Sequence, residues 1–300
     1  MVDTSKCFSL VRGRVLRATK LDACGAKNLG PKSTVITDGF ISVAFTANTD
    51  EGETISQANA AGRICILDEP APLFLGYTVE IQFCGVNPDL YSVMTGQPVV
   101  FDDTAVTPVG VGFQVNDNVN IDGQGFALEL WSNVPGAVCS GGVAQYGYLL
   151  IPFLKGGIVG DFTVENAAVT FSLSGAKSKT GNAWGVGPYN VIKTVAGAAS
   201  PLLVALPTTN HLHMQLTTLA PPTSICGAVP LGTLATGYTA GIPATPTPAN
   251  SYSHNTLAAL IAAAPTKTPA TLWTTGQHVL LQDGTHAYWN ATTWIAGDAP

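Results

Sequence analysis

Apolar and polar positions alternate with a period of two through much of this chain, the spacing of β-strands that lay one face on a core. Tyr77, Val79, Ile81 and Phe83 share one face, while Thr78, Glu80 and Gln82 share the other. Ile41/Val43/Phe45, Phe126/Leu128/Leu130, Val169/Phe171/Leu173 and Leu212/Met214/Leu216 repeat the pattern. Gly- and Pro-rich connectors separate these runs, which predicts antiparallel sheets rather than a βαβ layout. One helix interrupts them. Asn87 is its N-cap, Pro88 its first residue, Asp89 sits in the first turn and Gly96 stops it. Leu90, Val93 and Met94 fall at i, i+3 and i+4, so one helix face packs on a sheet. The expected fold is mainly β: an antiparallel sandwich or barrel-type domain over residues 1–235 with one flanking helix.

Residues 236–268 turn to Ala, Pro and Thr. Gly241–Asn250 is expected to be an extended linker, with a short helix at Asn255–Ala264 ended by Pro265. Residues 269–300 predict a small β-meander with a two-residue turn at Asp283-Gly284. Fewer than about forty residues rarely fold alone, so this module must lean on a larger body. Its aromatic residues Trp273, Tyr288, Trp289 and Trp294 have two readings: exposed rings that stack on sugars or a host surface, or the module's own core.

Composition narrows the class. Only 11% of residues are charged, against roughly 25% in an ordinary soluble domain. Gly (32) and Pro (20) are plentiful, and mean hydropathy is positive at +0.27. Gly, Pro, Thr or Ser breaks every apolar run before about eighteen residues, so no membrane span is expected. Lys6, Arg12, Arg14 and Arg17 break up the early apolar stretch, so no signal peptide is expected either. Together these features predict a soluble chain that hides apolar surface against copies of itself or other partners. The six cysteines (Cys7, Cys24, Cys65, Cys84, Cys139, Cys226) have no metal spacing and are expected to be free, mostly buried thiols.

The net charge of −6 is unevenly spread. Seven basic residues precede Ser33, against Asp3 and Asp22 alone. From Ser33 to Leu154 Arg63 is the sole cation among many carboxylates, and Thr194–Thr266 carries no charge. Beyond its first segment the chain lacks the clustered Lys and Arg of a nucleic-acid binder. Its acidic surface either lets DNA pass without sticking or simply solvates the protein. Glu80 and Glu129, on polar or mixed strand faces, are the candidates for a surface facing DNA. The basic first segment suits docking on an acidic neighbour.

No catalytic constellation emerges. Gly25–Ser33 approaches a phosphate loop, but Pro31 stands where Lys should follow Gly30. His211 and His213 would leave one strand face together, yet a zinc site needs further ligands and none is near in sequence. G-x-S-x-G is absent. Asp102 and Asp103 would point to opposite faces of a strand and belong in a turn. Asn290–Thr292 matches a glycosylation acceptor without a secretory context. No enzyme, cofactor or metal is expected.

Four blocks carry a family likeness: R-V-L-R-A-T-K-L-D-A-C-G-A (Arg14–Ala26), T-D-G-F-I-S-V-A-F (Thr37–Phe45), N-A-A-G-R-I-C (Asn59–Cys65) leading into Y-T-V-E-I-Q-F-C-G-V-N-P-D-L-Y-S-V-M-T-G (Tyr77–Gly96), and P-P-T-S-I-C-G-A (Pro221–Ala228). They resemble the major tail tube proteins of long-tailed, siphovirus-type phages of actinobacteria, over most of residues 10–230. The last segment, with G-Q-x-V-x-L-x-D-G and Y-W…W-x-A-G, is similar to short appendages on actinophage virion proteins. The resemblance implies a structural subunit of the virion tail, assembled in the bacterial cytoplasm as stacked rings, most often of six subunits, around passing DNA. Its implied partners are further copies, the tape measure protein and the tail terminator. Polar loops such as Ala47–Ala61 would pack ring on ring. Two other roles stay open: a capsid decoration protein or tail terminator, and a cell-surface or carbohydrate-binding module at the carboxy terminus.

Overall fold

The computed structural model describes residues 7–102, 109–135, 144–162, 166, 169–231, 278–280, 286–289 and 293–296. The expected linker, the Asn255–Ala264 helix, Trp273, the Asp283-Gly284 turn and Asn290–Thr292 lie outside them. In chain order the elements are β1 (Val11–Leu21), β2 (Gly30–Thr37), β3 (Phe40–Asp50), β4 (Ile55–Ala58), β5 (Ile64–Asp68), β6 (Leu73–Phe83), α1 (Pro88–Thr95), β7 (Val99–Asp102), β8 (Val109–Phe113) and β9 (Gly125–Asn133). There follow β10 (Tyr146–Lys155), β11 (Ile158–Val159), β12 (Phe171–Ser178), β13 (Ile192–Lys193), β14 (Ala199–Ser200), β15 (His213–Thr217), β16 (Ala228–Leu231), β17 (His278–Leu280), β18 (His286–Trp289) and β19 (Trp294–Ala296).

The fold is mainly β with antiparallel pairing, and the described residues contain one helix. The main sheet runs β16-β2-β1-β9-β10-β12-β6-β3, with β11 on β12 and β15 on β10. Among the described residues it does not close into a barrel. β2 and β3 lie near opposite ends of this path, yet only Asp38 and Gly39 join them. The sheet therefore curls until its ends approach at that connection. β17, β18 and β19 pair in sequence order as the expected meander.

Helix α1 forms as its caps require. Asn87 Oδ1 accepts from the Leu90 N–H at 3.2 Å, and Gly96 takes the left-handed conformation at φ 78°. Leu90, Tyr91, Val93 and Met94 are buried inside the curl with Leu16, Ala18, Val79, Ile81, Phe83, Phe126, Leu128 and Leu130. The alternations of β6 and β9 thus place Val79, Ile81, Phe83, Phe126, Leu128 and Leu130 inside, while Tyr77 is half-buried.

A second core covers the other face of the same central strands. Val15, Ala127, Trp131, Tyr148 and Leu150 pack there beneath Trp184, Tyr189, Val191, Leu202 and Leu206. Those covering residues come from a stretch of turns and two-residue strands with no periodic pattern. As a result β9 is buried on both faces from Gly125 to Trp131.

Two expected alternations fail locally. A register shift between Phe40 and Ser42 leaves Ile41 as an extra residue that is exposed, while Val43 and Phe45 still pack inward. Met214, on a strand paired only to β10, is also exposed.

Candidate functional site

Glu129 is not on an open face. It is fully buried, because the strand face that looks polar in sequence lies under the second core. Its register partner on β1 is Arg17, itself 1% exposed. Arg17 donates to the carboxylate through both Nε and Nη2, the latter at 2.7 Å. Tyr148 donates its hydroxyl to Glu129 Oε1 at 2.7 Å. The guanidinium lies 3.5 Å from the ring centre of Tyr189 and 4.9 Å from that of Trp131. The Tyr189 hydroxyl in turn bonds those of Thr19 (2.8 Å) and Thr34 (2.7 Å).

Burial alone would lower the Arg17 pKa, but the adjacent carboxylate outweighs it and raises the value. Burial, then the Glu129 charge, pushes Tyr148 well above the ordinary value. Burial pushes Tyr189 up to about 12. Charge, hydrogen bonds and stacking are all satisfied internally, so this cluster is structural.

Glu80 does stand on an exposed face. With β3 and β12 on either side, the outward positions of β6 align Thr78, Glu80 and Gln82 with Ser42, Ala44, Thr46, Ser172 and Lys177. This is a face of mostly small and polar side chains in which Glu80 is the carboxylate and Lys177 the cation.

The histidine pair does not converge on a ligand. His211 precedes β15, and its Nδ1 pairs with Ser178 Oγ at 2.7 Å. His213 Nε2 pairs with Gln215 at 3.0 Å. Burial lowers the His211 pKa. Ser178 Oγ also accepts from the Tyr77 N–H at 2.7 Å and is sealed in, which removes the access a nucleophile needs. Among the described residues no group of three His, Cys, Asp or Glu could hold a metal, and no helix is long and apolar enough to cross a membrane. Asp102 ends β7 instead of lying in a turn; Asp103 lies outside the described residues.

Ala47–Ala61 is not a loop. β3 runs to Asp50, and β4 and β5 form a further hairpin closed by Asn59, whose Oδ1 accepts from the N–H groups of Ala61 and Arg63 at 3.0 Å each. The arm rises from a kink at its base. A register shift makes Leu75 an extra residue. Gly76 has φ +117°, and a Cβ there would lie 2.5 Å from Ser178 Oγ and 2.7 Å from His211 Nδ1. Every residue from 51 to 75 is exposed. Ile55, Ile64, Ile66, Leu67, Leu73, Phe74 and Leu75 are 49–65% exposed, on both faces of the arm.

Of the aromatic candidates, Trp294 is not exposed but 2% accessible, which favours the core reading at that position. Tyr288 and Trp289 lie in β18. The five described cysteines are exposed rather than buried, because they sit at strand ends, in turns and on the arm; Cys139 lies outside. No protein-family model matches the chain, and no curated protein is significantly similar to it.

Two predictions follow from the buried cluster. Glu129→Ala leaves Arg17 charged without its partner and should cost about 3–5 kcal/mol in urea unfolding, while Arg17→Met with Glu129→Leu recovers most of the loss. The folded protein holds the Tyr189 phenol neutral, whereas the unfolded chain ionises it from its ordinary value of 10.0. This contribution is complete below about pH 10 and is lost as pH rises toward about 12, up to roughly 2–3 kcal/mol. Fluorescence-monitored alkaline unfolding should show that fall, and Tyr189→Phe should flatten it.

Proposed function

We propose that this chain is a structural, self-assembling subunit of a phage tail, stacked in rings to form a hollow tube through which DNA passes. The observation that carries the reading is the arm. A two-stranded hairpin is marginal alone in water, and one with large apolar side chains bare on both faces gains most by burying them against another chain.

Charge supports a second copy as that partner. The arm carries Asp50, Glu51, Glu53, Asp68 and Glu69 against Arg63, while Arg12 and Arg14 are exposed on the first strand. Edges support it too: β3 ends the sheet path, and no strand covers its outer edge among the described residues. A neighbouring copy that pairs along this edge would extend the sheet around a ring.

The β3–β6–β12 outer face suits the lumen wall. Small polar side chains offer DNA no apolar hold, Glu80 repels phosphate, and Lys177 is a single cation at the β12 border of the face. Glu129 has no part in this wall.

Ile64→Asp combined with Ile66→Asp should leave the monomer folded and abolish concentration-dependent association in sedimentation velocity. Unchanged association would remove the arm from the interface. Glu80→Lys should leave assembly intact and slow DNA ejection from phage carrying it; ejection at the normal rate would remove β6 from the lumen.

A further inference from the structure

The cleft at the seam of the curled sheet holds two thiols. Its walls come from Ile36–Gly39, from Phe83–Asn87, from Leu90 of α1 and from Ser224–Cys226, and it encloses about 340 Å³. Cys84 and Cys226 both line it, and both are free and exposed. Cys84 is hydrogen-bonded to the short β2–β3 connection, and Cys226 follows a residue hydrogen-bonded to the end of β2. The Cys84 N–H donates to Gly39 O at 3.0 Å, and its thiol donates to the same oxygen at 3.2 Å. Cys226 follows Ile225, whose N–H donates to Ile36 O at 3.0 Å. One cysteine therefore belongs to the β6 end of the sheet path and the other to the β16 end.

We propose that Cys84 and Cys226 form a dithiol site that closes to a disulfide across this seam by exchange with a small-molecule disulfide such as oxidised glutathione. One cysteine, as thiolate, attacks a glutathione sulfur; the glutathione S–S bond breaks and one glutathione thiolate leaves, taking up a proton. The second cysteine attacks the protein sulfur of the mixed disulfide and releases the other glutathione as a thiol. Two protein thiols are oxidised and one glutathione disulfide is reduced to two thiols, so electrons and protons balance. The product staples two ends of the sheet that are far apart in sequence, where a cross-link restricts the unfolded chain most. A reducing cytoplasm keeps the site open, and an oxidising medium closes it. The inference stands on the seam alone and does not depend on the assembly reading.

The test treats the folded full-length protein with oxidised glutathione, alkylates remaining thiols, and maps peptides by mass spectrometry. The expected result is a peptide pair joined through Cys84 and Cys226, with neither of these two carrying glutathione, and a raised thermal midpoint that reductant reverses. Stable glutathione adducts on both cysteines without a linked pair would overturn it. Cys84→Ser and Cys226→Ser, at exposed positions, should each leave the remaining cysteine as a glutathione adduct with no gain in midpoint. The wild-type gain persisting in either variant would equally overturn it.

Discussion

Three adjacent strands, β1 from Val15 onward, β9 from Gly125 to Trp131, and β10, leave almost no face for water, and much of the molecule follows from that. Each must divide its side chains between two cores. Arg17 and Glu129 fall opposite one another on the more polar side, and ions enclosed there are tolerable only when paired and hydrogen-bonded. The pair also fixes register. A slip of one residue between β1 and β9 would set the guanidinium against Leu128 or Leu130 and turn every side chain to the wrong core. The aromatic box of Trp131, Tyr148 and Tyr189 then completes the enclosure.

With the centre sealed, the surfaces available to partners lie at the periphery. β3, β6 and β12 keep one polar face outward, and the hairpin of β4 and β5 projects beyond them. A half-buried contact between Ser178 and His211 grips the arm at its base, where only glycine fits at position 76. The seam, where Cys84 and Cys226 share a cleft, is the other place where distant parts of the sheet meet.

Much of this was legible in sequence wherever one element carried its own signal. The β6 alternation and the Asn87–Gly96 capping residues located a strand and a helix correctly, because those rules are local. Glu129 was misplaced because its strand face is covered by Trp184, Tyr189 and Leu206, drawn from a segment without periodicity; no local pattern announces a second layer. Ala47–Ala61 resembled a loop because polar residues and Gly52 mask a hairpin whose pairing depends on register with Ile64–Asp68. The cysteines were expected inside on average behaviour, yet strand ends and turns hold them at the surface. Ile41 was displaced by a bulge, which shifts phase without changing composition.

The most direct test of the central claim is negative-stain electron microscopy of the purified protein across a range of concentrations. Hollow, regularly striated tubes are the predicted result. Isolated compact monomers at every concentration would contradict the account.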